Sequence, residues 1–279
     1  MLTNMGPLLA AAQARRYAVG SFNVYSYETI RGVLEAGAKA QQPVIVAFGE
    51  RYLENMDFVT VVGICRSVAA NLDVDYAIHL DHCKSLDNVY RAIHAGFTSV
   101  MYDGSALPFE ANLANTAAVV RVAHALGVSV EAELGSLASG VDSQERADND
   151  EQVYTDPAEA ADFVGRSGCD ALAVSIGTVH GAYKGEPHIR LEILDGIRKA
   201  VEIPLVLHGG SGTPEDVVAA CIAGGITKIN VNTEISMDAS GRLKTFLDDA
   251  GTPHLSIISS RLIEYVTASV TGYIEQFNH

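Results

Sequence analysis

The feature that most constrains this chain is a regular alternation of short apolar runs, rich in β-branched residues, with longer segments rich in alanine. Such an alternation is typical of a parallel sheet whose strands are connected by covering helices. Segments long enough for one helix per crossover lie between the runs, among them 27–40, 86–95, 110–126 and 214–223. The pattern predicts eight strands, at 18–22, 44–48, 76–80, 99–102, 129–133, 171–176, 205–208 and 228–231.

Polar residues at the predicted strand ends favour one of the two folds that share this alternation, a closed barrel or a doubly wound open sheet. They lie at or just after the carboxyl ends of the strands, and they are Asn23, Asp81, His82, Asp103, Glu133, His180, His208 and Asn230. A (β/α)8 enzyme gathers its active site at this end of its barrel. The sequence therefore predicts an α/β chain folded as one (β/α)8 TIM barrel domain over residues 1–279, with a C-terminal helical extension from about 235 to 279.

Two segments stand apart from the alternation. Residues 135–155 are polar, acidic and poor in apolar side chains, which predicts a mobile loop over the barrel mouth. Residues 257–277 have the pattern of an amphipathic helix, for which we predict packing on a neighbouring barrel.

Charge and composition exclude several classes of partner. The formal net charge is −15 and no cluster of lysine and arginine interrupts it, which argues against nucleic acid and anionic membranes. No apolar run approaches the roughly 18 residues of a spanning helix. The first twenty residues lack the basic start and cleavage site of a signal peptide, so we expect a cytoplasmic protein. The cysteines are too far apart for a disulfide framework or a cysteine zinc site.

Three histidines follow three different predicted strands. His82 ends the run that includes Asp81, His180 precedes Gly181, and His208 precedes Gly209. Strand ends converge on a barrel, and three neutral imidazoles would hold a zinc ion with one coordination position open to substrate. Taken alone, each histidine is better read as an ordinary hydrogen-bonded residue, but their equivalent positions on three strands favour a shared metal site.

Carboxylates and glycines complete the candidate site. Asp81 lies beside a proposed ligand and is either a carboxylate that orients it or a proton carrier. Glu131 and Glu133 face the same way on one strand, and Glu133 is nearer its end. Residues 209–212 and 230–233 follow the last two strands, where this fold commonly binds phosphate, although a turn that merely needs glycine would look the same.

Five motifs follow one another along the chain: AVGSFN at 18–23, AIHLDH at 77–82, AGFTSVM at 95–101, SVEAELG at 129–135 and PLVLHGG at 204–210. In this order they resemble the class II fructose-bisphosphate and tagatose-bisphosphate aldolases. The resemblance extends from about residue 17 to 233.

The resemblance implies a cofactor, substrates and an assembly. It implies a homodimer or homotetramer that cleaves a phosphorylated ketose to dihydroxyacetone phosphate and an aldehyde. One catalytic Zn²⁺ per subunit would be held by His82, His180 and His208, and the family allows a monovalent cation as well. The remaining roles it implies are proton transfer by Asp81, grip on the phosphate-bearing half by Gly181, Gly209, Gly210, Ser211, Asn230, Asn232 and Thr233, and contacts nearer the aldehyde by Asn23 and Asp103. From the sequence position alone we add Glu133 to the candidate catalytic residues and Lys184 as a cation for the phosphate, although a solvated surface lysine would look the same.

Departures from the family pattern concentrate in two places. In the loop, residues 138–142 read ASGVD where members usually carry GGQED, so Asp142 is the nearest carboxylate to the family's loop glutamate. After the second and fourth strands, 48–52 and 104–106 replace a serine-containing and a histidine-containing segment near the aldehyde end. These changes predict an altered aldehyde partner. The alternatives are a metal-dependent phosphosugar epimerase or isomerase on the same barrel, and a non-catalytic sugar-phosphate binding protein.

Overall fold

The computed structural model describes residues 1–139, 153–181 and 188–278, with the side chains of 138, 139 and 180 outside that description. Eight parallel strands form a closed barrel in the order β1-β8-β7-β6-β5-β4-β3-β2, which confirms the predicted (β/α)8 fold. The strands are β1 Val19–Asn23, β2 Val44–Gly49, β3 Tyr76–Cys83, β4 Ser99–Tyr102, β5 Ser129–Leu134, β6 Ala171–Val174, β7 Leu205–Leu207 and β8 Ile226–Val231.

Helices follow every strand and form the outer layer, and one further helix, α1, precedes β1. They are α1 Met5–Arg15, α2 Tyr27–Ala40, α3 Phe58–Ala69, α4 Leu86–Ala95, α5 Phe109–Ala125, α6 Pro157–Ser167, α7 Leu191–Ala200, α8 Glu215–Ala223, α9 Thr233–Ala250 and α10 Leu255–Phe277, with a 3₁₀ turn at Glu50–Glu54. Local chemistry fixes several starts. Ser26 caps α2 in a reciprocal box with Thr29, and Asp156 caps α6 just before Pro157.

Helix α1 closes the N-terminal end of the barrel. Its apolar residues Met5, Leu9 and Ala12 are fully buried against residues of the strands that include Ile45 and Val206. Burying such side chains contributes about 1.5–3 kcal/mol each for the larger ones. Because this end is plugged by a helix, access to the barrel interior is from the carboxyl ends of the strands.

Helix α10 covers its apolar face within its own chain. It packs against α2 and α9, and its buried residues include Val266, Val270 and Phe277. Gly32 of α2 permits this approach, since a Cβ there would lie 2.6 Å from Cγ1 of Val266. The amphipathic pattern therefore predicted the helix correctly, but the apolar face meets α2 and α9 of the same chain. No helix in the described part of the chain combines the length and apolar character needed to cross a bilayer.

Candidate active site and metal centre

A bulge near the end of β3 places two consecutive residues in the barrel mouth. Leu80 pairs with Val100 and Cys83 pairs with Tyr102, so three steps along β3 match two along β4. His82 lies within this bulge and has a φ of 72°, a left-handed conformation that is strained for a residue with a Cβ. In a regular strand Asp81 and His82 would face opposite sides. The bulge lets both side chains reach the same site.

The carboxylate of Asp81 is held by two side-chain amides, one from β1 and one from β8. Asn23 Nδ2 donates to its Oδ2 at 2.9 Å, and Asn230 Nδ2 donates to its Oδ1 at 3.0 Å. Burial by itself would raise the pKa of Asp81, but the positive charges of His82 and Lys228 hold it well below its usual range. Asp81 is therefore a buried, ionised carboxylate at the carboxyl end of the barrel.

Two of the predicted metal ligands meet above this carboxylate. The rings of His82 and His208 lie edge to face with centroids 4.5 Å apart. His208 Nε2 lies 2.8 Å from Glu131 Oε1, and His82 Nδ1 lies 3.2 Å from Asp103 Oδ2. A neutral His208 that donates its Nε2 proton to Glu131 carries its lone pair on Nδ1. The carboxylates thus orient the imidazoles, as partners of metal-binding histidines do.

Glu133 supplies the observation that tests whether a cation fits. Its Oε2 is buried with no hydrogen-bond partner among the described residues, and lies 3.7 Å from His82 Nδ1 and 3.9 Å from His208 Nδ1. Burial and the nearby Asp103 carboxylate raise the pKa of Glu133 well above its usual value. A bound cation would remove this penalty by giving the carboxylate a charge to face.

Ligand atoms within 4.8 Å of one another form two overlapping groups, Asp81 with His82 and His208, and His82 with Asp103 and Glu133. Imidazole nitrogens together with carboxylate oxygens are a donor set that zinc accepts. The residues therefore fit a divalent cation.

The third predicted histidine lies farther from its strand than the sequence suggests. Strand β6 ends at Val174, and His180 belongs to a two-residue segment, Val179–His180, that pairs with Ala138–Ser139. Gly209, next to His208, has a φ of 70° and its backbone lies against Val179, where any Cβ would collide with the carbonyl oxygen. The backbones beside His180 and His208 are thus in contact, while the role of the His180 side chain as a ligand stays a prediction.

A fully buried charged network lies beneath the site. Lys228 Nζ is 2.9 Å from Glu131 Oε2, and His79 Nδ1 is 2.9 Å from Ser99 Oγ. Burial alone would raise the pKa of Glu131, but the Lys228 ammonium and the His208 hydrogen bond hold it below its usual value. Lys228 is not among the site residues predicted from the sequence. The available signal was a lysine in an apolar strand, two residues before Asn230 and therefore on the same face.

The two predicted phosphate-binding segments, 209–212 and 230–233, meet beside the site. Their residues have different structural roles, which the glycine content alone does not predict. The Gly210 amide donates to the Asn230 carbonyl at 2.9 Å, and a Cβ on Gly210 would lie 2.7 Å from that oxygen, so this glycine serves close packing. Ser211 Oγ accepts the amides of Asn232 and Glu234, both at 3.3 Å. Among the hydrogen bonds of the described residues, none uses the backbone amide of Ser211 or Thr233.

The remaining predicted residues divide between the site and the undescribed segments. Gly181 is buried with a φ of 93°, and Asn232 Nδ2 donates to the Tyr52 hydroxyl at 3.0 Å. Asp142 and Lys184 lie outside the described residues, as does most of the predicted loop over the mouth.

A closed (β/α)8 barrel with carboxylates and imidazoles crowded at its carboxyl end defines a barrel enzyme whose active site fits a cation. The chain belongs to the class II fructose-bisphosphate aldolase family, whose model matches residues 3–279. It is therefore an aldolase, and so a lyase.

Relatives support this assignment over nearly the whole length. A Bacillus subtilis (strain 168) protein named probable fructose-bisphosphate aldolase is 41% identical over 284 residues, covering 99% of this chain and 97% of that one. The YdjI aldolase of Escherichia coli K12 is similar with a TM-score of 0.87 and 35% identity, over 99% of this chain and 97% of that chain. Fructose-bisphosphate aldolase from Campylobacter jejuni, at 22% identity, shares the fold with a TM-score of 0.84 over 99% of this chain and 95% of that chain.

Proposed function

We propose that this aldolase is zinc-dependent and reversibly cleaves a phosphorylated ketose to dihydroxyacetone phosphate and an aldehyde. The observation that carries the proposal is the buried Glu133 Oε2, which faces two imidazoles within 4 Å and has no hydrogen-bond partner among the described residues. His82, His180 and His208 would hold the ion, with Glu133 beside them. Zinc bound there would act as a Lewis acid toward the substrate carbonyl next to the bond that breaks.

Asp81 is the proposed acid/base residue. As an ionised carboxylate it takes the proton from the C4 hydroxyl during cleavage, and the same proton returns to the aldehyde oxygen during condensation. The amides of Asn23 and Asn230 hold both of its oxygens in place. Asn23 Oδ1 is buried without a hydrogen-bond partner among the described residues, which supports its role as an acceptor for a substrate hydroxyl. Asp142 stays the candidate for proton transfer at the carbon of the three-carbon half.

The phosphate of the three-carbon half would bind where β7 and β8 end. The backbone amides of Ser211 and Thr233 point to this role because neither enters the hydrogen bonds of the described residues, and amides near a helix N-terminus suit an anion. Gly209 and Gly181 would let the backbone approach closely. Lys184 would add a cation.

For the aldehyde half we propose a partner other than the phosphorylated three-carbon aldehyde that fructose 1,6-bisphosphate would yield. The proposal rests on the residues that replace the usual family residues near the aldehyde end, at 48–52 and 104–106. Tyr52, in the first of these segments, has its ring centroid 5.1 Å from that of Tyr25, and its hydroxyl accepts from Asn232.

The decisive experiment is retro-aldol cleavage of a panel of ketose 1-phosphates and ketose bisphosphates. Release of dihydroxyacetone phosphate is followed in a coupled assay, with and without a chelator. Chelator-sensitive release supports the proposal, and the preferred substrate identifies the aldehyde. A clear preference for fructose 1,6-bisphosphate would contradict the altered aldehyde half. Tightly bound zinc with no release from any substrate would contradict the cleavage reaction itself.

We also propose a homodimer or homotetramer, and a monovalent cation as activator. Light scattering on the eluting protein gives the mass of the assembly. Turnover measured in sodium, potassium and a bulky organic cation tests the activator, since a specific site would discriminate among them.

A further inference from the structure

Lys228 is a buried charge in the middle of the barrel. It lies on β8, its side chain is completely buried, and its Nζ contacts two groups, Glu131 Oε2 at 2.9 Å and Asn230 Oδ1 at 2.7 Å. A buried ammonium loses its hydration, and its partners must offset that cost. A hydrophobic residue at this position would fill the space without that cost. The reason for a positive charge at this position must therefore lie in the two groups that Lys228 contacts.

One contact leads to a proposed metal ligand. Glu131 bridges Lys228 and His208, because its Oε2 meets the ammonium and its Oε1 lies 2.8 Å from His208 Nε2. The ammonium thus fixes the carboxylate that determines which ring nitrogen of His208 carries the proton. With the proton on Nε2, the lone pair on Nδ1 faces the side of the ring where Glu133 lies, 3.9 Å away.

The other contact leads to the proposed acid/base residue. Because Asn230 Oδ1 accepts from Lys228, the Nδ2 group of the same amide must turn toward Asp81, to which it donates at 3.0 Å. An amide without this partner could present either its oxygen or its nitrogen to Asp81. An oxygen facing the carboxylate would repel it. Lys228 removes that possibility.

We propose that Lys228 is a positioning residue for the aldol reaction, orienting the metal ligand His208 through Glu131 and the acid/base residue Asp81 through Asn230. This inference rests on the proposed function for its activity readout. Lys228 acts through other residues on both sides, so its removal should lower kcat and metal affinity more than it changes KM.

The test compares Lys228→Met with the double variant Lys228→Met/Glu131→Gln. Lys228→Met leaves a buried carboxylate without its counter-charge, and we expect a lower Tm, roughly 10–100-fold weaker zinc binding and a kcat about 100-fold lower, with KM within threefold. The double variant has no unbalanced charge, and the amide oxygen that replaces the carboxylate can still accept from His208. Its Tm and zinc affinity should recover, whereas kcat should stay low because Asn230 is still not oriented.

A matched control is Lys199→Met, which removes an exposed lysine paired with Asp195 on α7 and should leave all readouts unchanged. The inference is overturned if a folded Lys228→Met protein, or the double variant, has kcat within threefold of the parent. Zinc affinity, measured by chelator competition without substrate, tests it independently of turnover: unchanged affinity in Lys228→Met contradicts it. A parent protein that binds zinc but cleaves no ketose phosphate contradicts only the proposed function.

Discussion

Asp81→Asn should remove most of the turnover while leaving the fold intact. The substitution keeps the shape of the side chain but removes its charge and turns one of its two oxygens into an NH₂ donor. In the structure these oxygens accept amide hydrogen bonds from Asn23 at 2.9 Å and from Asn230 at 3.0 Å. The new amide therefore faces one donor with which it cannot pair.

The two clamping amides differ in their freedom to accommodate this change. Turning Asn230 would break its contact with Lys228, whereas Asn23 Oδ1 has no hydrogen-bond partner among the described residues. A flip of Asn23 would present that oxygen to the new NH₂ group. The cost is then the difference between charged and neutral hydrogen bonds, about 1–2 kcal/mol of unfolding free energy. For a domain of this size that lowers Tm by about 2–8 °C.

The effect on turnover is larger because the general base is lost. Such groups contribute roughly 10²–10⁴-fold, or about 2.7–5.4 kcal/mol of activation free energy. The assay couples dihydroxyacetone phosphate release to its reduction, with Tm and bound zinc measured on the same samples. Asp162→Asn, at an exposed ion pair with Arg166, is the control. A folded, zinc-loaded Asp81→Asn protein with kcat within threefold of the parent would refute the assignment.

Three further outcomes are expected. Chelation should abolish turnover and lower Tm, and zinc at about 100 times its Kd should restore roughly 2.7 kcal/mol of stability, visible in thermal melts. Asp103→Asn weakens the acceptor of the His82 imidazole at 3.2 Å, so zinc affinity by chelator competition should fall roughly 10–100-fold. Burial lowers the pKa of His79 to about 4, so its neutral ring stabilises the fold above pH 6.5 and that contribution is lost as pH falls toward 4. In metal-free urea unfolding, His79→Gln should therefore lose less stability between pH 7 and 5 than the parent.

Local sequence signals were sufficient for much of the barrel. Helix α2 begins and ends as predicted because Ser26 and Thr29 cap its start and Gln41 ends it with a φ of 52°. Strand β4 also has its predicted bounds. Hydrophobic periodicity, helix caps and turns each depend on a few neighbouring residues. They can therefore be predicted without knowing which distant segments of the chain contact one another.

Long-range contacts account for the boundaries that differ. Strand β6 was predicted to continue to residue 176, but it ends at Val174. The Ser175 amide donates to Thr155 Oγ1 at 2.8 Å, and the Ser175 carbonyl accepts from the Thr155 amide at 3.0 Å. These bonds replace barrel pairing and direct the chain toward His180. No local pattern distinguishes Ser175 from the strand before it.

The candidate site shows the same difference between local sequence signals and long-range contacts. Position at a strand end was enough to single out Asp81 and His208, because every parallel barrel brings these ends together. The partners that orient them were harder to find. Lys228 contacts Glu131 across the barrel interior, and only the register of the closed sheet brings β8 and β5 side chains to the same depth. The sequence periodicity of neither strand indicates a buried ion pair of this kind.

The bulge in β3 shows how much chemistry depends on one inserted residue. Strand alternation alone would turn either Asp81 or His82 away from the barrel mouth, so a proton carrier and a metal ligand could not be chain neighbours. The extra residue brings both inward at the expense of a left-handed φ at His82, a strain of about 1–3 kcal/mol. Surrounding contacts must hold that conformation, and two are visible: Asp103 at the imidazole, and the amide clamp on Asp81. The groups that tune the site chemically are therefore also the groups that stabilise its backbone, so substitutions there should alter reactivity and folding together.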